Sequence, residues 1–259
     1  MHVFAFDIET VPDVELGRRM YGLEGLTDKQ VGYVMQTKRR EQSGSEFLSV
    51  EQQRIVAISV ALRSRDSFKI WSLGDPTASE AEIIQRFYDG IDKYVPDLVS
   101  WNGCGFDLPV LHYRALRHGI QAPRYWETGD DDLAFRFNNY LNRFHWRHVD
   151  LMDVLAGFQS RARASLQNTA LLLGLPGKLG MSGDKVWDSY IAGDIVHIRN
   201  YCETDVLNTF LIYLRFELMR GRLNKEAYVS ECRRVRETLQ SSPQPHFKEF
   251  LAAWPESSE

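Results

Sequence analysis

Asp7 and Glu9 stand two residues apart in Phe6-Asp7-Ile8-Glu9-Thr10, at the end of an apolar N-terminal run. Alternation over Val3 to Ile8 reads as a strand, with Phe4, Phe6 and Ile8 on one side and Val3, Ala5, Asp7 and Glu9 on the other. Carboxylates so spaced project from one face with their backbones about 7 Å apart. Mg²⁺, which binds hard oxygens at about 2.1 Å, fits between them. Taken alone, the pair suits a solvent-facing strand end equally well.

Two further segments carry the same chemistry. Asp107 closes Trp101-Asn102-Gly103-Cys104-Gly105-Phe106-Asp107, a strand-to-helix connection, and the Leu108-Pro109 that follows places it at the helix entrance. In isolation Asp107 reads as a helix cap. Asn102, Gly103 and Gly105 argue otherwise, because they permit a tight backbone at the C-terminal edge of a strand, where α/β sheets place ligands. Tyr201 and Asp205 are four residues apart in a helical stretch and share a face. Either could be structural, as a packed Tyr and an Asp paired with Arg. Together, four acids and a tyrosine in segments about 100 residues apart fit a two-metal site for phosphodiester hydrolysis.

The elements that must position them follow from periodicity. Arg54 to Arg63 and Ser67 to Leu73 read as a hairpin, and Ser79 to Tyr94 as an amphipathic helix with a capping box of Ser79 and Glu82. Asp97 to Trp101 is a short strand, followed by a helix from about Pro109 to His118. Further helices are expected over Leu151 to Phe158, Leu166 to Leu173, about Ala192 to Arg215, and Lys225 to Leu239. The Pro/Ser-rich last residues are expected to fray. Residues 13–53 and 120–148 read as insertions, the first of short helices and loop, the second irregular. Strands interleaved with helices imply a mixed sheet with helices packed on it.

Bulk properties narrow the class. Of 259 residues, 44% are hydrophobic, including 14 Phe, 11 Tyr and 6 Trp, enough for a full core. A net charge of -4 provides no global attraction for a polyanion, so nucleic-acid binding needs local basic groups and bound cations. Three cysteines without metal spacing suit a reducing cytosol. The N-terminus lacks a basic region and Asp7 interrupts its apolar run, so neither a signal peptide nor a membrane span is read there. The expectation is a soluble, cytoplasmic protein with no membrane partner.

Phe6-Asp7-Ile8-Glu9, Asn102-x3-Phe106-Asp107 and Tyr201-x3-Asp205 resemble the three motifs of DEDD-type 3′–5′ exonucleases. They are most similar to the proofreading domain of family B DNA polymerases and to stand-alone bacterial relatives. One branch of that group carries His five residues before the last Asp, where this chain has Asn200; Tyr201 matches the tyrosine branch. The resemblance covers about residues 1–215 and implies a ribonuclease H-like α/β fold, a five-stranded mixed sheet flanked by helices. Residues 216–259 would then be a C-terminal helical extension.

The resemblance also implies a mechanism. Asp7, Glu9 and Asp205 would hold one divalent cation, Mg²⁺ or Mn²⁺, and Asp7 would bridge to a second supported by Asp107. Tyr201 would orient the nucleophilic water. The partner would be the 3′ end of a single-stranded nucleic acid, DNA favoured, gripped by Ile8, Thr10, Asn102 and Phe106 and released as 5′-mononucleotides. Action on RNA 3′ ends, or a non-catalytic nucleic-acid-binding subunit, are the alternatives.

Overall fold

Strand β1 (Val3–Pro12) forms where the alternation predicts and continues to Pro12. The computed structural model describes residues 2–255. After β1 come α1 (Val14–Tyr21) and α2 (Asp28–Ser43), then the hairpin β2 (Gln53–Arg63) and β3 (Phe68–Ser72). Next are α3 (Glu80–Tyr94), β4 (Asp97–Ser100), α4 (Asp107–His118), the short α5 (Pro123–Trp126), β5 (His148–Asp150) and α6 (Leu151–Leu155). The remainder is helical: α7 (Leu166–Leu172), α8 (Val186–Ile191), α9 (Ile195–Met219), α10 (Lys225–Ser241) and α11 (Pro245–Ala253).

The five strands lie in the order β3-β2-β1-β4-β5, with β1 central. β1 pairs antiparallel with β2 and parallel with β4, so the sheet is mixed. Phe4, Phe6 and Ile8 bury against Ile84, Phe87 and Ile91 of α3 and Leu111 of α4. On the opposite face Ala5, Ala61 and Val99 meet Leu207, Phe210 and Leu214 of α9. Buried residues ring α9 on every side, as expected of a helix enclosed by other elements. Its outer side is covered by Tyr228, Cys232 and Val235 of α10 and Phe247 and Phe250 of α11, which share this apolar cluster. Among the described residues, no helix is long and apolar enough to cross a membrane.

Several local expectations need correction. The tail does not fray after Leu239: Pro245 begins α11 at a position that needs no backbone N–H, and Phe247, Phe250 and Trp254 are buried. The Arg236 guanidinium lies 3.7 Å from the Trp254 ring centroid and secures that end. Residues 256–259 lie outside the described residues. In the first insertion, α2 is a 16-residue helix started by a reciprocal Thr27–Gln30 capping box. At α3 only half of the expected box forms. Ser79 accepts from the Glu82 N–H at 3.2 Å, while the Glu82 carboxylate turns to Arg86 at 2.9 Å. β5 arises at the end of the second insertion, which reads as irregular.

β2 carries a bulge opposite β1, just after the acidic pair. Glu9 faces Ala57 and Thr10 faces Ile55, so Val56 is the extra residue. A bulge bends and twists a strand and re-aims the side chains beside it.

Candidate active site

Asp7 and Glu9 project from β1 on the face opposite Phe6 and Ile8. Asp107 is the first residue of α4, and its Oδ1 accepts a hydrogen bond from the Ile8 N–H at 3.2 Å. That bond joins the start of α4 to β1 between the two acids. Asp107 therefore does not spend this oxygen on capping its own helix. On α9, Asp205 lies one turn beyond Tyr201, and between them the Cys202 thiol approaches the Asp7 carbonyl at 3.4 Å and its Oδ2 at 3.7 Å. All five residues expected from sequence thus converge where β1, α4 and α9 meet.

The loop before Asp107 is built tightly. Asn102 adopts a left-handed backbone (φ 66°). A Cβ at Gly103 would collide with Ser100 Oγ and one at Gly105 with Asn102 Oδ1, which explains both glycines. Asp150 caps α6 and also accepts from the N–H groups of Asn102 and Cys104, each at 2.9 Å. Cys104, Asp150 and Asp153 lie close enough to suggest a second metal cluster. The Asp150 oxygens are taken by these N–H groups and the Asp153 oxygens by Arg143 and Arg163. The second cluster builds the loop.

In the first cluster protein groups offset the negative charge only in part. Glu9, Asp107 and Asp205 are buried and Asp7 is partly open to solvent. Burial, then repulsion from Asp107, Glu9 and Asp205, holds the Asp7 carboxyl well above the usual range. Burial does the same to Glu9 and Asp205, and pushes Asp107 up to about 7. Asp205 Oδ1 is buried without a hydrogen-bond partner. Such an oxygen amid other carboxylates suits a divalent cation, which would satisfy it and remove the repulsion. The Cys202 thiol is held protonated by burial and by Asp7, so it is a hydrogen-bond donor rather than a metal ligand.

Lys178 is the functional candidate that sequence reasoning missed. Its ammonium lies 3.3 Å from Asp205 Oδ2 and donates to the Tyr201 hydroxyl oxygen. Burial works against its charge, yet Asp205, Asp7 and Glu9 together hold its pKa above the ordinary lysine value. The signal available was a lone cation in the glycine-rich loop Gly174-Leu-Pro-Gly-Lys-Leu-Gly180. Burial, then Asp205 and Glu9, pushes the Tyr201 phenol far above its usual value, so this hydroxyl stays protonated.

The expected substrate contacts are placed differently from one another. The Ile8 side chain is 4% exposed and lies in the core, leaving only its backbone on the acidic side. Thr10 is half-buried and donates to Gln53 Oε1 at 2.9 Å. Phe106 is half-buried, with its ring centroid 5.1 Å from that of Phe47, an exposed aromatic of the first insertion absent from the expected set.

These shifts imply a pH dependence in the metal-free protein. Asp107 keeps its proton to about pH 7 when folded and loses it near pH 4 when unfolded. Between those values the native chain binds more protons, so stability falls as pH rises, by about 1.4 kcal/mol per pH unit. In EDTA, wild type is expected to lose several degrees of Tm relative to Asp107→Asn between about pH 4 and 7. Mg²⁺, binding deprotonated ligands, should raise wild-type Tm more at the higher pH. Parallel curves for the two proteins, with or without Mg²⁺, would contradict this account.

A five-stranded mixed sheet of this order, flanked by helices and bearing acids on its central strand, is a ribonuclease H-like exonuclease fold. A family model for predicted 3′–5′ exonucleases related to the exonuclease domain of PolB matches residues 45–254, and the chain belongs to that family. Asp107, Lys178, Tyr201 and Asp205 lie within the matched residues, while Asp7 and Glu9 precede them. No curated protein matches the chain.

Proposed function

We propose that this protein is a metal-dependent 3′–5′ exonuclease that hydrolyses single-stranded nucleic acid, DNA favoured, and releases 5′-mononucleotides in the cytoplasm. The observation that carries the reading is the convergence of four carboxylates from three distant segments beside Tyr201, with Asp205 Oδ1 lacking any protein donor. Asp7, Glu9 and Asp205 would hold one Mg²⁺ or Mn²⁺, and Asp7 with Asp107 a second. When bound, such ions supply Lewis acidity that activates water and offsets charge on the attacking and leaving oxygens.

The remaining roles belong to this chain's own side chains. Tyr201 orients the attacking water as a hydrogen-bond donor, because a phenol held protonated cannot serve as a base at neutral pH. Lys178 holds the Tyr201 hydroxyl and brings a positive charge to the phosphate's side of the cluster. Phe106 and Phe47 offer apolar surface beside Asp107 for a terminal base. Asn102 and Thr10, with the backbone near Glu9, would add polar contacts to the terminal nucleotide.

The test is digestion of 5′-labelled single-stranded DNA and RNA with Mn²⁺ or Mg²⁺. The expected product is a ladder shortening by single nucleotides from the 3′ end, abolished by EDTA, with the faster substrate identifying the preferred sugar. Tyr201→Phe is expected to lower kcat about 10²-fold with little change in KM, because a group that orients water acts in the transition state. Cleavage of a circular strand would indicate an endonuclease instead. Binding without hydrolysis by the folded protein would indicate a non-catalytic subunit.

A further inference from the structure

We infer that Phe144 and Phe158, with Arg143 against both rings, form a clamp for the unpaired strand on the 5′ side of the scissile bond. The inference rests on the exonuclease reading and adds the path of the substrate strand. The two rings meet edge to face at 4.9 Å, and the Arg143 guanidinium lies 5.0 Å from the Phe158 centroid and 5.8 Å from that of Phe144. Phe144 is 66% exposed and Phe158 half-buried, so the pair lies at the surface with the Phe144 ring the more open.

Phe158 is there at a conformational cost. Its φ is +59°, in the left-handed region that a bulky side chain rarely enters. Gly157, also left-handed, already supplies the turn that ends α6. The second left-handed residue places a phenyl ring against Phe144, and strain of this kind marks positions kept for function.

The clamp connects to the catalytic loop. A groove of about 330 Å³ is lined by Arg143 and Arg163 together with Gly105, Leu108 and Pro109, the residues around Asp107. Both arginines grip buried Asp153, at 2.8 and 2.6 Å, yet remain part-exposed at 44% and 35%. With exposed Arg161 on the turn after Phe158, the local charge is positive in a protein whose net charge is -4. Guanidinium groups beside exposed aromatic faces suit one occupant: a single strand whose bases stack on the rings while its phosphates meet the arginines. Bases have π-faces in DNA and RNA alike, so the clamp reads strandedness rather than sequence. It makes a strand several nucleotides long a better substrate than a trinucleotide.

The test compares wild type, Phe144→Ala, Phe158→Gly and Phe158→Tyr. Glycine suits φ +59° and removes the ring while relieving the strain, so loss of fold does not confound the result. KM is measured for a 20-nucleotide and a 3-nucleotide strand, as DNA and as RNA, with Mn²⁺. Binding of the 20-mers is followed by fluorescence anisotropy in an Asp7→Asn background, where hydrolysis cannot intervene. Phe144→Ala and Phe158→Gly are each expected to lower the preference for the longer strand, and its affinity, about tenfold, with Phe158→Tyr retaining both. Unchanged preference and affinity in both ring-deletion variants would overturn the clamp, as would failure of the parent protein to bind either 20-mer. Ring-dependent binding without hydrolysis of DNA or RNA by the wild type would leave the clamp standing and remove the exonuclease reading.

Discussion

Asp7→Asn is expected to abolish hydrolysis and, in the absence of metal, to make the protein harder to unfold. Asp107, Glu9 and Asp205 each push the Asp7 carboxyl upward, after burial itself. Removing its charge relieves repulsion, and asparagine keeps an oxygen that can still accept from Cys202. In EDTA the variant should therefore melt several degrees above wild type. With saturating Mn²⁺ the order should reverse, because only wild type gains the full free energy of ion binding. On the proposed mechanism Asp7 would be shared by two ions, and its loss would remove several kcal/mol of transition-state stabilisation, so the rate should fall about 10³-fold or more. Melting curves with and without Mn²⁺, beside rates on a labelled strand, test both halves. A variant that is less stable in EDTA, or that keeps activity within tenfold, would dismantle the proposed site.

The second large effect is structural. Arg114 of α4 is 3% exposed and donates to Glu80 Oε1 at 2.7 Å, Glu80 Oε2 at 2.5 Å and Asp13 Oδ2 at 2.5 Å. Asp13 follows β1 directly and caps α1, while Glu80 opens α3 and accepts the Ile55 N–H of β2 at 2.7 Å. One guanidinium thus joins four elements around the exit of the catalytic strand. Arg114→Met preserves much of the volume but leaves two buried carboxylates without their main counter-ion. Breaking a buried pair in this way costs about 3–5 kcal/mol, or a Tm loss on the order of 10 °C in a domain this size. Adding Asp13→Asn and Glu80→Gln to the same chain should recover most of that loss, since stranded charge is the cause. A single variant melting within 2 °C of wild type, by calorimetry, would refute this role.

Much of this architecture is legible because it is local. Val3 to Ile8 alternates with a buried face, the β2–β3 hairpin is built of β-rich runs, and α9 is a long helix-forming stretch. Asp7 and Glu9 therefore fall on one face, and Tyr201 and Asp205 on one turn, before any tertiary contact is known. What escapes depends on distant partners. β5 is three residues, His148–Asp150, whose extended form is held by parallel pairing with Leu98, Val99 and Ser100. α11 lies in a Pro/Ser-rich tail and owes its order to Phe247 and Phe250 reaching the apolar cluster over α9. Lys178 is a solitary cation whose meaning appears only when its loop meets Tyr201 and Asp205. Ile8 shows the reverse failure. Its place beside the acids in sequence suggests a substrate contact, but strand alternation turns its side chain into the core.

The three carboxylate-bearing segments impose a schedule on synthesis. Asp7 leaves the ribosome nearly 200 residues before Asp205. At about 5–20 residues per second, roughly 10–40 s separate the two. A nascent chain in that interval has β1 and its acids but no α9, and so lacks Asp205 and Tyr201. Such a chain could not assemble both of the proposed ion sites, whatever the metal concentration around it. On that reading cutting would begin only when α9 docks on the sheet, leaving unfinished chains harmless to nearby nucleic acid, including the message still being translated.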